Sequence, residues 1–454
     1  MTLHIIILAA GLGKRMVSQK PKVLHELGGK SLLARVIDTA KTLQPAAIHV
    51  IYGHEGDQIR QALADVPVHW INQTQQLGTG HAVMQAMPEI PQDAQVLILY
   101  GDVPLIESTT LVQLIQSAAE HQALTLLLAT LDNPFGLGRI LRNNAGMIEA
   151  IVEEKDATPA QRKIRETYTG ICCASSNDLT RWLPKLTQNN TQHEYYLTDI
   201  IAMAVNEQQN IQSIETPHEY EIKGVNDRLQ LHTLERLWQQ QQAERLMLNG
   251  VTIADSTRFD IRGELHCGKD IFIDANCVFI GKVHIEDGCI IGPNCILTDT
   301  HIGANSQILA HSVLDGCQIG TDCHVGPFAR LRPGTELGPR CKIGNFVETK
   351  KAHFGSDSKA SHLSYLGDVT IGNDVNIGAG TITCNYDGIN KHQTIIGDGA
   401  FIGSDTQLVA PVKVGAHATI GAGCTLRQNA PDGELTLTES KQKTIYGWKR
   451  PKKK

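Results

Sequence analysis

A glycine-rich loop near the amino terminus has the residue types that bind phosphate. The segment 11–16, GLGKRM, follows directly on the apolar run 5–10, which is typical of a buried parallel strand. Glycines let backbone N–H groups approach an anion, and Lys14 and Arg15 add positive charge. Lys22 follows a proline and could reach the same anion. A plain tight turn and a solvated lysine are the simpler interpretations of these two features.

A lone carboxylate follows a second apolar run. The segment 96–104, VLILYGDVP, places Asp102 just after a predicted buried strand. Ligands bind at the carboxyl ends of parallel strands, so this carboxylate is expected to face the glycine-rich loop. Mg²⁺ prefers one or two protein carboxylates together with phosphate oxygens and water. Capping of a turn is the alternative role for Asp102.

Amide groups follow a third predicted strand. Gln73 and the segment 76–80, QLGTG, offer amide and backbone groups that could read the edge of a base. Two better-known nucleotide loops are excluded. The dinucleotide fingerprint requires a third glycine where Met16 stands, and the P-loop requires a glycine at Leu24.

These features fall on strands that alternate with helical stretches. The strands are predicted at 48–52, 68–72, 96–100 and 124–131, which indicates a mostly parallel Rossmann-like sheet in an α/β unit over 1–225. An amphipathic helix capped by Asp227 is predicted within 226–250 and would act as a linker.

The carboxyl-terminal part, 251–454, carries a six-residue repeat up to about 426. An aliphatic residue followed by glycine recurs at steps of six, as in Ile319-Gly320 and Val325-Gly326. One short strand and one turn per hexad bury their aliphatic residues only by stacking coil on coil. Three hexads close a triangular coil, so the pattern predicts a left-handed parallel β-helix.

Cysteines share one phase of this repeat, four residues after the aliphatic position. The phase requires a small residue, and a buried free cysteine behaves as a small hydrophobe. Metal binding is the rival interpretation, but the spacings follow the coil and there is no C-x-x-C pair. The cysteines in this phase are Cys277, Cys289, Cys295, Cys317, Cys323, Cys341 and Cys424.

Composition excludes some functional classes. A formal charge of −6 argues against a nucleic-acid surface. No apolar run approaches the roughly 20 residues of a membrane span, and the amino terminus lacks a basic signal-peptide region. Eleven cysteines without disulfide-scaffold spacing suggest a reducing cytoplasm. We therefore expect a cytoplasmic protein.

Five motifs in chain order resemble those of a bacterial enzyme family. They are LAAGLGKRM, PKVL, QLGTGHA, YGDVPLI and the GVN at 224–226. The sequence is similar, over essentially its whole length, to the bifunctional N-acetylglucosamine-1-phosphate uridyltransferases/glucosamine-1-phosphate acetyltransferases. The resemblance implies acetylation of glucosamine 1-phosphate by acetyl-CoA and then uridylyl transfer from UTP with Mg²⁺, supplying precursor for peptidoglycan and lipopolysaccharide. It also implies a homotrimer with shared acetyltransferase sites.

The resemblance assigns roles in the amino-terminal unit. Asp102 and Asn226 would hold Mg²⁺, and Arg15 and Lys22 would be catalytic cations on the phosphates. Residues that would contact UTP or the UDP-sugar are Leu8, Ala9, Ala10, Gly11, Lys22, Gln73, Gly78, Thr79, Tyr100, Gly101, Asp102, Gly138, Glu153, Tyr168 and Asn226.

The resemblance assigns roles in the repeat unit as well. The six-residue steps of the aliphatic-glycine repeat are interrupted at 327–342, 345–370 and 379–395, where we expect inserted loops carrying the site. The context KASHLSYLGD around His362 matches the family's histidine segment, so His362 is the expected catalytic base for acetyl transfer. The amino-sugar phosphate would be bound by Arg332, Lys350, Tyr365 and Asn376, and acetyl-CoA by Ala379, Asn385, Tyr386, Ser404 and Ala422.

Two positions depart from the family pattern. Tyr168 stands where the family has an asparagine that contacts the sugar, and Glu439 stands where it has an arginine that reaches the CoA phosphate. Two other functions stay open at this point. One is a pyrophosphorylase whose β-helix only assembles or regulates it, and the other is a non-catalytic binding module built from the same two folds.

Overall fold

The computed structural model describes residues 1–11, 13–53, 56–439 and 441–450. The chain divides into two compact units, Met1–Trp238 and the residues from Gln239 onward. Among the described residues, no helix combines the length and the apolar character that a bilayer span needs. Leu12 of the glycine-rich loop lies outside the described residues.

The amino-terminal unit is built on a nine-stranded mixed sheet. Its helices are α1 Leu32–Thr42, α2 Gly56–Ala62, α3 Thr79–Ala86, α4 Ser108–His121, α5 Ser176–Trp182, α6 Asp199–Asn206 and α7 Arg228–Leu248, the last of which runs past the unit boundary. The strands of this unit are β1 Leu3–Leu8, β2 Glu26–Leu27, β3 Lys30–Ser31, β4 Ala47–Tyr52, β5 His69–Asn72, β6 Gln95–Tyr100, β7 Thr125–Thr130, β8 Gly138–Arg142, β9 Ile148–Val152, β10 Glu166–Ser175 and β11 Gln212–Glu215, of which β2 and β3 form a separate hairpin.

The main path of the sheet runs β11-β7-β10-β6-β1-β4-β5. Strand β1 pairs in parallel with β4 and β6, and its side chains are buried on both faces, as the apolar run predicts. The four predicted strands are present within one or two residues of their expected ends. Strands β8 to β11 were not predicted from the sequence, and β10 is antiparallel to both of its neighbours β6 and β7.

Helix α7 begins next to Asp227, whose carboxylate accepts a hydrogen bond from the backbone N–H of Gln230 at 2.8 Å. This is the predicted cap. The first half of the helix packs on the amino-terminal unit, where Leu234 joins a buried cluster. The guanidinium of Arg35 lies 4.3 Å from the centre of the Trp238 ring. This half of the predicted linker is therefore packed along its length.

The second unit is a β-helix of parallel strands. Its strands are Val251–Ile253, Phe259–Cys267, Ile271–Ile273, Cys277–Ile285, Ile290–Ile291, Ile296–Thr298, His301–Ile302, Gln307–Ile308, Val313–Asp315, Cys317–Ile319, His324–Val325, Arg330–Leu331, Thr335–Leu337, Lys342–Asn345, Glu348–Phe354, Lys359–His362, Tyr365–Ile371, Asn376–Ile377, Ile382–Cys384, Thr394–Ile396, Phe401–Ile402, Gln407–Val409, Val412–Val414, Thr419–Ile420, Thr425–Leu426 and Leu435–Thr436.

The register of these strands shows the coil length. Val325 pairs with Ile343, 18 residues on, as three hexads require. Ile343 pairs with Ala360, so the spans 327–342 and 345–370 are regular coils, and the prediction of loops there was wrong. Those coils keep the pairs Leu337-Gly338 and Leu366-Gly367 and have other residues at some of the repeat positions, such as Ala360-Ser361. Ile377 pairs with Ile402, 25 residues on, which places the one inserted loop of the three within 379–395.

Small polar residues form a hydrogen-bonded column inside the β-helix. Cys289 donates to the carbonyl of Gly303 at 3.2 Å, and Ser306, one coil on, donates to Gly320 at 2.8 Å. The thiols are free and buried, and burial raises the pKa of Cys289 to about 11. Cys317 departs from the predicted phase, because the buried aliphatic residue before it, Leu314, is three positions away instead of four.

Candidate active sites

A cavity of about 290 Å³ lies at the carboxyl ends of β1, β5 and β6. Its walls come from separate stretches of the chain that meet because neighbouring parallel strands end at the same edge of the sheet. Predicted nucleotide-site residues that line it are Leu8, Ala9, Ala10, Gly11, Lys22, Gln73, Gly78, Thr79, Tyr100 and Asp102.

Positive and negative side chains meet at one end of this cavity. The ammonium of Lys22 pairs with the carboxylate of Asp102 and lies 3.2 Å from Oδ1 of Asn226. Asn226 is held there because the N–H of the preceding Val225 donates to the Asp102 carbonyl at 2.9 Å. A carboxylate and an amide oxygen beside a phosphate cavity are a donor set that suits Mg²⁺.

The glycine-rich loop packs directly on Lys22. Gly13 has a φ of +56°, and a Cβ added to it would lie 2.8 Å from Cβ of Lys22. The loop then continues into a short 3₁₀ helix, Lys14–Met16, on which Arg15 is exposed. Arg15 is therefore near the loop but does not line the cavity, while Lys22 does.

The opposite end of the cavity is formed by fixed amide groups. Gln73 is 3% exposed, and its Nε2 lies 3.2 Å from the Gly78 carbonyl and 3.0 Å from Nδ1 of His81. Gly78 has a φ of +111° and precedes α3. The hydroxyl of Thr79 accepts from the N–H of Leu197 at 3.1 Å. These contacts orient the groups that the sequence suggests for base recognition.

Tyr100 connects the cavity to the predicted sugar residues. A Cβ at Gly170 would lie 2.6 Å from the Tyr100 ring, so the two segments touch. Tyr168 is buried, and its hydroxyl donates to the Gly170 carbonyl at 2.9 Å. A Cβ at Gly138 would lie 3.7 Å from Oε2 of Glu153, and burial raises the pKa of Glu153.

Sequence reasoning missed one wall of the cavity. Glu194 lines it, and its neighbour Tyr195 is hydrogen-bonded to the first turn of α3 and to the loop before it. The N–H of Gly80 donates to the Tyr195 carbonyl and the N–H of Tyr195 donates to Leu77, both at 2.8 Å. This segment carries no motif, and only its long-range packing identifies it.

The β-helix places several predicted residues on one edge. In successive coils Ala360 pairs with Ile377, Ile377 with Ile402, and Ile402 with Ile420. The residue two positions after each of these therefore stands at the same corner of the coil. Those residues are His362, Ala379, Ser404 and Ala422.

His362 is oriented by a residue that the sequence analysis did not identify. Its Nδ1 lies 2.8 Å from Oδ1 of Asn345, which pairs with it in the neighbouring coil. Because a carbonyl oxygen only accepts, Nδ1 carries the proton and the lone pair is on Nε2. The imidazole is exposed, so Nε2 is accessible to a substrate.

A group of cations lies on the adjoining face. Nη1 of Arg332 is 2.9 Å from a carboxylate oxygen of Glu348. Lys391, from the inserted loop, lies beside Lys350 and lowers its pKa. Two neighbouring ammonium groups repel each other, and a bound anion would relieve that repulsion. Lys391 was also missed by the sequence analysis, because lysines in loops are usually solvated.

Tyr365 and Asn385 meet next to these cations. A Cβ at Gly367 would lie 2.5 Å from the Tyr365 hydroxyl oxygen and 3.0 Å from Nδ2 of Asn385, so both side chains pass over this glycine. Nδ2 of Asn385 also donates to Asp368. The remaining predicted contacts are Asn376, half-buried on its strand, and Tyr386, exposed on the inserted loop.

Family models match both units. The MobA-like NTP transferase domain matches residues 5–192, and the bacterial transferase hexapeptide model matches residues 299–333, 316–351 and 393–428. Full-length relatives are each called "Bifunctional protein GlmU". That of Legionella pneumophila (strain Lens) is 62% identical, covering 100% of this chain and 99% of that protein. The protein of Marinobacter nauticus is 54% identical (99% of each chain), and that of Nitrosospira multiformis is 52% identical (100% and 98%).

Proposed function

Because the chain belongs to the GlmU family of bifunctional proteins, we propose that the cavity is its uridyltransferase site and the β-helix edge its acetyltransferase site. The resemblance found in the sequence is confirmed by identity over the full length. The chain is an enzyme that acetylates glucosamine 1-phosphate and then converts N-acetylglucosamine 1-phosphate to UDP-N-acetylglucosamine with release of pyrophosphate.

In the uridyltransferase step, a phosphate oxygen of N-acetylglucosamine 1-phosphate attacks the α-phosphorus of UTP and pyrophosphate leaves. The chain supplies position and charge rather than a nucleophile. Gln73, Gly78 and Thr79 hold the uracil end, and Lys22 neutralises the phosphates from the cavity wall. Arg15, exposed beside the glycine-rich loop, adds positive charge from outside the cavity. Glu153, Gly138 and Tyr100 face the sugar.

Asp102 and Asn226 are the proposed ligands of Mg²⁺ in this site. When bound there, Mg²⁺ supplies positive charge to the phosphate oxygens. The ammonium of Lys22 pairs with both side chains, which supports a position for a cation between them. Lys22 is then free to pair with a phosphate instead.

In the acetyltransferase step, Nε2 of His362 accepts a proton from the amino group of glucosamine 1-phosphate. The amine attacks the thioester carbonyl of acetyl-CoA, the carbon–sulfur bond breaks, and coenzyme A leaves as the thiol after its sulfur takes the proton from His362. Asn345 holds the histidine tautomer that makes this possible. Arg332, Lys350 and Tyr365 bind the sugar phosphate, and Lys391 adds to its charge neutralisation.

The common edge of the β-helix is the observation that carries the acetyltransferase assignment. His362 stands in register with Ala379, Ser404 and Ala422, the proposed acetyl-CoA contacts. An extended cofactor lying along this edge would bring its thioester to the histidine. The flat faces of the β-helix suit a homotrimer, and the free buried thiols suit the reducing cytoplasm.

A coupled assay tests both sites on the full chain. The mixture contains Mg²⁺, UTP, acetyl-CoA and glucosamine 1-phosphate, and the variants are His362→Ala and Asp102→Ala. We expect His362→Ala to form UDP-N-acetylglucosamine only from added N-acetylglucosamine 1-phosphate, and Asp102→Ala to accumulate that intermediate. The activity that each variant retains shows that its unsubstituted unit is folded.

Two results would contradict the assignment. If His362→Ala retains wild-type acetyl transfer, the base lies elsewhere on the β-helix. If wild type forms the nucleotide sugar only from acetylated substrate, the β-helix is a scaffold. Omitting Mg²⁺ from the assay of wild type should stop uridylyl transfer and leave acetyl transfer unchanged.

A further inference from the structure

Three metal-ligating side chains meet at the opposite end of the amino-terminal sheet from the cavity. His49 is on β4 and His69 on β5, where the two residues pair directly in register. Glu89 ends the 3₁₀ helix Met87–Glu89 that follows α3. One ligand atom from each residue lies within 4.8 Å of those of the other two.

The distances between these atoms match a tetrahedral ion. Oε2 of Glu89 lies 3.5 Å from Nδ1 of His49 and 3.2 Å from Nδ1 of His69. Zinc–nitrogen bonds of about 2.0–2.1 Å place neighbouring tetrahedral ligands about 3.3–3.4 Å apart. Small movements of Glu89 and His69, which are about half exposed, would therefore complete the geometry.

Nδ1 of His49 is a buried atom without a hydrogen bond among the described residues. The side chain of His49 is 1% exposed, and its Nδ1 lies 3.5 Å from Oε2 of Glu89, an ion-pair contact that falls outside hydrogen-bond geometry. Leaving such an atom unpaired is costly unless something else binds it.

A second histidine supports the orientation of the first. Nε2 of His49 lies 3.1 Å from Nδ1 of His4 on β1, and the two rings stack. If Nδ1 of His49 binds a metal, its Nε2 carries the proton and donates to His4. Metal-binding histidines regularly use their other nitrogen in this way.

We propose that His49, His69 and Glu89 bind a divalent transition-metal ion of the Zn²⁺ type, with water as a fourth ligand. Imidazole nitrogens favour Zn²⁺ over Mg²⁺, so this ion differs from the one in the uridyltransferase site. The strand from His4 to Leu8 separates the two sites by about 13 Å. A bound ion would connect the edge strand β5 to the 3₁₀ helix Met87–Glu89. Strand β5 leads into Gln73 of the cavity.

A second group of side chains must be controlled for in any metal titration. His284, Glu286 and His301 on the β-helix also bring ligand atoms within 4.8 Å. All three are at least partly exposed, and His301 lies 3.2 Å from Glu286. No buried atom among them is without a partner, so they carry no proposal here.

Zn²⁺ binding to the full chain tests the proposal after removal of metals by a chelator. Equilibrium dialysis against Zn²⁺ gives stoichiometry and affinity for wild type, His69→Gln, Glu89→Gln and two controls. His121→Gln changes an exposed histidine of the same unit, and His301→Gln removes the rival group. We expect His69→Gln and Glu89→Gln to lose one bound ion or to bind it at least about tenfold more weakly.

Co²⁺ provides a direct readout of the ligand geometry. Wild type and His121→Gln should show the visible absorption of tetrahedral Co²⁺, and His69→Gln should lose it. Equal Zn²⁺ stoichiometry and affinity in wild type, His69→Gln and Glu89→Gln would overturn the proposal, as would the absence of any bound ion in wild type. Both variants change partly exposed side chains outside the cavity, and unchanged uridylyl transfer would show that their amino-terminal unit folds.

Discussion

The two sites are assembled in opposite ways. The proposed uridyltransferase site is formed by segments from residues 8 to 226 that meet at one edge of a sheet. The proposed acetyltransferase edge repeats a single backbone position from coil to coil, and His362 on it is exposed. Long-range packing makes the first site, whereas the register of a repeat makes the second.

This difference determines how each site responds to a local change. In the cavity, one backbone position fixes the place of a side chain that comes from another segment, as Gly13 does for Lys22. On the β-helix, each coil is held by its two neighbours, so a changed corner residue leaves the others in position. Backbone changes should therefore harm the cavity more than the edge.

The largest effect is expected from Gly13→Ala. The residue has a φ of +56°, and the added Cβ would lie 2.8 Å from Cβ of Lys22, so the loop or the lysine must move. A displacement of about 1 Å costs on the order of 100-fold in rate when a catalytic group is misplaced. We expect kcat/KM for uridylyl transfer to fall by about that factor, measured as pyrophosphate release.

Gly146→Ala is the matched control for this prediction. Gly146 has a φ of +79° in the same unit, but no heavy atom lies within 4 Å of an added Cβ. It therefore carries the same type of backbone strain without the contact. If both variants lose activity equally, the close approach to Lys22 is not what positions the lysine.

A smaller effect is expected from Asn345→Leu, which removes the acceptor for Nδ1 of His362. The histidine loses the contact that selects its tautomer, so kcat for acetyl transfer should fall by roughly 10-fold to 100-fold. Since Asn345 positions the base, KM for acetyl-CoA should change little. Steady-state kinetics of the acetyl transfer would separate the two parameters.

Asn345→Asp keeps an acceptor oxygen at the same place and should retain most of the activity. This rescue distinguishes orientation of His362 from general damage to the coil. Uridylyl transfer should be unaffected in both variants. A fall in kcat of the same size for Asp and Leu would show that the hydrogen bond is not the cause.

The sequence predicted the features that repeat or that lie next to a strand. The strand–loop order around Gly11, Asp102 and Gln73 is local, and buried apolar runs identify it. The β-helix register follows from aliphatic spacing alone. What could not be predicted is contact between distant segments that carry no motif, such as Glu194 beside α3. Strand β10 was missed for the same reason, since its pairing is set by the whole sheet.

The interrupted aliphatic-glycine steps also led to the wrong prediction of loops within the β-helix. The aliphatic-glycine pair at Ile343 is followed one coil later by Ala360-Ser361, yet the coil continues unbroken. Backbone hydrogen bonds between coils hold the strand whichever small residue fills the interior. Lys391 and Asn345 depend on that coil geometry and could be recognised only once neighbouring coils were aligned.

The smallest effect is expected inside the β-helix, at Cys289. Its thiol donates to the carbonyl of Gly303, and Ser306 makes the same contact one coil later, so Cys289→Ser should preserve the hydrogen bond. Cys289→Ala removes the donor and should lower the free energy of unfolding by about 1 kcal/mol. Thermal unfolding of the full chain would measure both, with uridylyl transfer as the control for the other unit. Later coils place Val375 and Ala400, which have no side-chain donor, in the same column. If Cys289→Ala proved as stable as Cys289→Ser, packing alone would determine which residues occupy this column.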